Sequence, residues 1–133
     1  MKNDNPFADA NIIFRYTRAQ ALEDGVLIDL TSWAKETGFR IPVACTAAVW
    51  NSFIVPPPGT RELGQSERGR GHDLLWMLYV AIRKQSSMAT DRVDFEVVFL
   101  QAPNRHETVS LKSTCGPGDN AEPVITIMLP DED

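Results

Sequence analysis

The chain has only two cysteines and two histidines, and that scarcity removes several chemistries at once. Cys45 and Cys115 are too few for a disulfide framework and too widely spaced for a zinc knuckle. Each sits beside apolar or β-branched residues, where a buried thiol is expected, and neither has a flanking His, Lys or Arg to make it a nucleophile. No H-x-H, H-x-x-x-H or C-x-x-C spacing sets two ligands on one face, so neither a metal nor a cofactor is expected. An apolar run long enough to span a bilayer is missing, as is a basic stretch leading into an apolar leader. A soluble, cytoplasmic protein is the expectation. Positive charge is also in deficit. A net charge of −5 argues against a general phosphate-backbone binder, because nucleic acid would need a local basic patch acting against the whole field.

What is present suits one globular domain. A length of 133 residues is enough to bury a single core, and 43% apolar with 23% charged content excludes disorder as the default. Residues 1–11 are polar and contain a proline, which reads as a loosely held lead-in. Thr17 with Gln20 three positions on forms a capping-box pattern, so a short helix is expected over residues 18–24, ended by Gly25. Residues 26–30 read as a brief strand or extended segment. Thr31 or Ser32 is expected to cap a second short helix that stops at Gly38. Pro42 forces residues 39–43 to be extended, and Thr46 caps a third short helix carrying Val49, Trp50 and Phe53. The Pro56-Pro57-Pro58-Gly59 run is a stiff bend, and residues 60–71, polar and glycine-punctuated, read as a surface loop.

The strongest helical pattern starts at Asp73 and ends at Lys84. Leu74, Leu75, Leu78, Ala81 and Ile82 fall on one stripe, with an acid at the start and Arg83-Lys84 at the end. Ser86-Ser87 opens another loop, after which the period changes to two. Val93, Phe95, Val97 and Phe99 alternate with their neighbours, as do Val109, Leu111, Ser113 and Cys115, then Ile125, Ile127 and Leu129. The last of these strands follows a Gly/Pro/Asp/Asn turn over residues 116–123 and is stopped by Pro130. These patterns predict an α+β fold: a three-stranded antiparallel β-meander in the C-terminal half, packed against one main helix, with short N-terminal helices.

Four of these segments carry a family resemblance. They are the run from Tyr16 to Gly25 with Leu30-Thr31, the run Gly38-Phe39-Arg40-Ile41-Pro42-Val43 with Trp50, the run Asp73-Leu74-Leu75-Trp76-Met77, and the stretch from Cys115 to Leu129. Together they resemble an uncharacterised family of small bacterial proteins encoded on plasmids, integrative elements and phages. The resemblance covers nearly the whole chain from Tyr16. It implies an accessory product of mobile DNA, one that acts against host defence, and it implies no reaction.

Candidate sites follow from the residues themselves. Arg68, Arg70, Gly71 and His72 lead into the expected helix start at Asp73, where unpaired first-turn amides and two guanidinium groups suit a phosphate or carboxylate. No Lys-Ser/Thr follows the glycines, so this is not a P-loop, and the competing reading makes the arginines solvated loop residues. His72 and His106, with Asp119 or Glu122, form an acid/base set only if their loops meet, and two surface histidines are the simpler expectation. Trp76 borders the apolar stripe and is the expected anchor for a protein partner. Asp131, Glu132 and Asp133 are expected to steer that partner through their negative charge. The sequence reading is therefore a non-catalytic binding protein with a macromolecular partner. Its alternative is a small enzyme or anion binder using residues 68–73 with His106.

Overall fold

The computed structural model describes residues 16–85 and 91–133. The expected lead-in over residues 1–11 and the loop at Ser86-Ser87 lie outside the described residues. In chain order the elements are α1 (Arg18–Glu23), β1 (Leu27–Asp29), α2 (Thr31–Thr37), β2 (Val43–Thr46), α3 (Ala47–Val49), α4 (Glu67–Lys84), β3 (Arg92–Ala102), β4 (Arg105–Pro117) and β5 (Pro123–Met128). A π-helical turn at Trp50–Ile54 continues α3, and a 3-10 turn at Arg61–Leu63 precedes α4. The class is α+β.

The sheet is larger than the meander expected from alternation. Among the described residues it has five strands in the order β1-β2-β5-β4-β3. The β3-β4-β5 meander forms, antiparallel throughout, with Phe95 opposite Leu111 and Cys115 opposite Ile125. Next to it, β2 pairs with β5 in parallel, Cys45 opposite Ile127, and β1 pairs antiparallel with β2. Strand β1 falls within the brief strand or extended segment expected over residues 26–30, whereas β2, four residues long with Val43, Ala44 and Cys45 all buried, has no alternation to announce it. One stretch of backbone between Ala102 and Arg105 turns β3 into β4, with Asn104 at φ +63°, a conformation that asparagine tolerates.

Local capping explains the helices. Thr17 Oγ1 accepts the Gln20 N–H while the Gln20 side chain accepts the Thr17 N–H, the reciprocal box expected from sequence. Thr46 Oγ1 accepts the Val49 N–H, also as expected. Helix α2 differs. Neither Thr31 nor Ser32 caps it; Leu30 occupies the cap position, Thr31 is already helical, and its hydroxyl donates to Asp29 and accepts the Val43 N–H. The helix ends at Gly38 with φ +123°, where a side chain is strained. Helix α4 starts six residues before the expected Asp73. Ser66 Oγ accepts the Gly69 N–H and Glu67 supplies the first-turn acid, so much of the supposed loop over residues 60–71 is helix. Gly69 and Gly71 lower helix propensity there, and packing overrides it.

The core lies between the sheet and one helical layer. Leu74, Leu75 and Leu78 of α4, Ala34 of α2 and Ile54 of the π turn meet Phe95, Val97 and Phe99 of β3, Leu111 of β4, Ile125 and Ile127 of β5, and Val43 and Cys45 of β2. Burial of these side chains removes them from water at roughly 25 cal/mol per Å² of apolar surface, the main favourable term for the fold. Helix α1 attaches on the opposite face. Arg18 donates to Thr126 Oγ1 and the Ile125 carbonyl, while the Asp119 carboxylate accepts the backbone N–H groups of Arg18 and Ala19.

Candidate functional site

Helix α4 carries most of the residues singled out by sequence, and it directs them to three different places. Arg70 points inward. It is 1% exposed, and its guanidinium donates to the carbonyl oxygens of Phe53 (2.5 Å) and Leu100 (2.7 Å), to Gln65 Oε1 (3.0 Å) and to Gln101 Oε1. The same group lies 4.8 Å from the centroid of Phe99, which stacks on Phe53. Burial lowers its pKa and Asp73 opposes the shift, but a guanidinium stays charged throughout. Arg70 is thus not a solvated loop residue. Every partner it has here is a neutral oxygen of the protein, and it ties the π turn to the end of β3.

Arg68 and His72 point the other way, toward α2. Arg68 Nη2 donates to both oxygens of the Glu36 carboxylate (2.7 and 2.9 Å), and His72 Nε2 lies 3.0 Å from the same carboxylate. Gly71 sits between them against the indole of Trp33. A Cβ built at Gly71 would come within 2.5 Å of that ring, which is itself stacked on Trp50. Glycine at 71 is therefore required by the close approach of α2 and α4. The expected helix N-terminus at Asp73 is in the second turn, so its amides are already hydrogen-bonded within the helix. Glu36, the residue that gathers Arg68 and His72, carries no local sign of this role because it lies 32 positions from Arg68.

Trp76 points to solvent. It is 54% exposed and stacks on Tyr79, with ring centroids 5.8 Å apart. Met77 (39%) and Val98 (56%) are exposed beside it. Asp73, Trp76 and Met77 of α4 face Glu96, Val97, Val98 and Thr108 across a groove of about 390 Å³. Partial burial raises the Asp73 carboxyl above its ordinary value, with Arg70 and His72 pulling it back. An indole, a thioether and a valine held open to water on rigid elements are the features of an interface anchor.

The remaining expected site residues do not converge. His106 is exposed in β4 opposite Leu100 of β3, whereas His72 belongs to the α2-facing side of α4. Asp119 caps α1, and Glu122 accepts the Asn120 N–H within its own turn. Of the acidic end, Asp131 and Asp133 are exposed, while Glu132 is bound into the fold: its carboxylate accepts Thr46 Oγ1 and the Leu129 N–H, and its carbonyl accepts Lys112 Nζ. Those contacts border an open hollow of about 750 Å³ on the α1 side of the sheet, floored by Thr114, Thr126 and Met128. Cys45 is buried, and burial, with Glu132 nearby, pushes its thiol up to about 12. Cys115 is partly exposed. Among the described residues no group of three or more His, Cys, Asp or Glu is placed to hold a metal ion, and no helix is long and apolar enough to cross a membrane.

Residues 2–133 match the model of a family of unknown function, DUF6573, and the chain belongs to that family. No curated protein and no solved structure matches it.

Proposed function

We propose that this member of a family without an assigned activity is a binding protein, docking a macromolecular partner through the Trp76 face of α4. The observation that carries the reading is the exposed cluster of Trp76, Met77 and Val98 around the groove between α4 and β3. Binding energy in protein interfaces concentrates in a few such anchors. Arg68, Arg70 and His72 of α4 are engaged within the protein, Arg70 by four protein oxygens and Arg68 and His72 by Glu36, which supports the docking reading over an anion site. An anion at residues 68–72 would have to displace Glu36 first. The proposal retains the setting implied by the family resemblance, an accessory product of mobile DNA that binds a host or element macromolecule and counters host defence.

Trp76→Ala tests this reading. The side chain is mostly in water, so the change should shift stability by no more than about 0.5 kcal/mol. Pull-downs from bacterial lysate with wild-type and variant protein, read by mass spectrometry, are expected to lose the captured partner with Trp76→Ala at unchanged melting temperature. Neutralising Asp131 and Asp133 should only slow association, with the difference shrinking at high salt. Equal capture by the two proteins, or turnover of a small molecule that disappears in His72→Ala or His106→Ala, would overturn the reading.

A further inference from the structure

The backbone beside Trp76 shows what shape of partner fits. Among the described residues β3 pairs only with β4, so its other side is an edge of the sheet. Which groups face that edge follows from the ladder. The Cys115 N–H donates to the Asp91 carbonyl (2.7 Å), one position outside the Arg92↔Thr114 pair. Hydrogen-bonded and non-hydrogen-bonded pairs alternate in an antiparallel ladder. Val93, Phe95, Val97 and Phe99 therefore exchange hydrogen bonds with β4, and Asp94, Glu96 and Val98 send their N–H and C=O groups outward. Leu100 has the same phase, and its carbonyl is met on that side by Arg70. Gln101 adds a bond from its side chain to the Ser52 carbonyl. The π turn thus covers the far end of the edge, and residues 94–98 are left uncovered by it.

We propose that this uncovered edge accepts an extended segment of a partner chain that alternates apolar and basic residues, adding one more strand to the sheet. Strand addition draws its affinity from main-chain hydrogen bonds and its selectivity from alternate side chains. On the α4 side of the edge, apolar side chains of the incoming strand meet Trp76 and Met77. On the other side its basic side chains meet Glu96, with their stems beside Val98. Charge selects the sign: Asp73 and Glu96 both line the groove, and among the described residues no cation lines it with them. The same acids disfavour a second copy of this chain, because antiparallel pairing of two β3 edges about Glu96 sets the two Glu96 carboxylates side by side. This partner class belongs to the Trp76 face and stands only if that face docks a partner.

The test is amide hydrogen exchange on the full-length protein, with a short peptide of alternating lysine and valine as probe. Saturating peptide is expected to slow exchange at Asp94, Glu96 and Val98 by about tenfold or more, while Phe95 and Val97, already in the ladder, change little. The same peptide N-methylated on alternate residues, or carrying glutamate for lysine, should bind at least about tenfold more weakly. Glu96→Pro deletes one outward N–H without taking a bond from the β3-β4 ladder and should abolish binding, whereas Glu96→Gln should weaken it only a few-fold. Should Glu96→Pro lower the melting temperature, the N-methylated peptide gives the same comparison on unaltered protein. Unprotected amides, or equal binding of the N-methylated peptide, overturn the proposal. Protection already present without peptide overturns it too, assigning the edge to a second copy if it depends on protein concentration and to another part of the same chain if it does not. A captured partner that is lost with Trp76→Ala but kept with Glu96→Pro rejects strand addition alone; one kept with Trp76→Ala rejects the interaction reading itself.

Discussion

Arg70 and Cys45 are two buried groups whose chemistry the fold uses structurally. Removing the Arg70 side chain takes the donor from the carbonyls of Phe53 and Leu100 and from the side-chain oxygens of Gln65 and Gln101 and leaves a cavity where a buried side chain stood. Each unsatisfied acceptor carries a desolvation cost, so Arg70→Ala should destabilise the protein by about 3 kcal/mol or more, read as a lower urea midpoint. Arg70→Lys should recover only part of this, because one ammonium cannot reproduce a planar fork of donors. Cys45 gives a pH signature. Its thiol is held protonated in the fold up to about 12, against about 9 for the unfolded chain. Above pH 9 the unfolded state loses its proton first, so the stability tied to the neutral thiol is intact below about pH 9 and is lost as pH rises toward 12. In urea titrations at increasing alkaline pH, the stability deficit of Cys45→Ala relative to wild type should therefore shrink.

At the scale of elements, the decisive contact is α2 against α4. A glycine inside a helix normally costs about 1 kcal/mol relative to alanine. Gly71→Ala should nevertheless destabilise the protein, by roughly 1–3 kcal/mol, because the new methyl group drives into Trp33 and that indole is backed by Trp50. Thermal melts decide the sign, and a stabilised variant would mean that the two helices are not in contact at this point. Helix α4 thereby spans two environments: Arg70 and Gly71 are buried, and Trp76, about one and a half turns on, is exposed. The π turn belongs to the same arrangement. Its Val55 N–H reaches back to the Trp50 carbonyl (3.0 Å), and the widened turn lets the Phe53 carbonyl meet Arg70.

For the whole molecule, the parallel pairing of β2 with β5 joins the β1-β2 pair to the C-terminal meander in one sheet. Residues 43–45 register with residues 125–127, and the Glu132 side chain closes onto Thr46 from the same direction. Unfolding is expected to be cooperative: tryptophan fluorescence, which reports the stacked Trp33 and Trp50 together with the exposed Trp76, should lose its native signal at the same denaturant concentration as far-UV circular dichroism from the sheet. Separate transitions would show that the N-terminal elements dock independently of the meander.

Elements whose signal is local were legible in the sequence. The Thr17/Gln20 box, the Thr46 cap, the Leu74-Leu75-Leu78 stripe and the three alternating strands all depend on neighbours within one or two turns of chain, and each stands where that local chemistry put it. The exposure of Trp76 at the margin of its stripe was legible for the same reason. Long-range pairing decided the rest. Burial beside β5 made β2 a strand from a segment with no period to show and joined β1 to the same sheet, and Trp33 made Gly71 a helical residue. Carbonyls of the π turn and of Leu100 drew Arg70 inside, and Glu36 took Arg68 and His72. Sequence spacing carries helical and strand periods because they arise from one stretch of backbone, whereas a buried guanidinium finds its acceptors only once distant segments have closed around it.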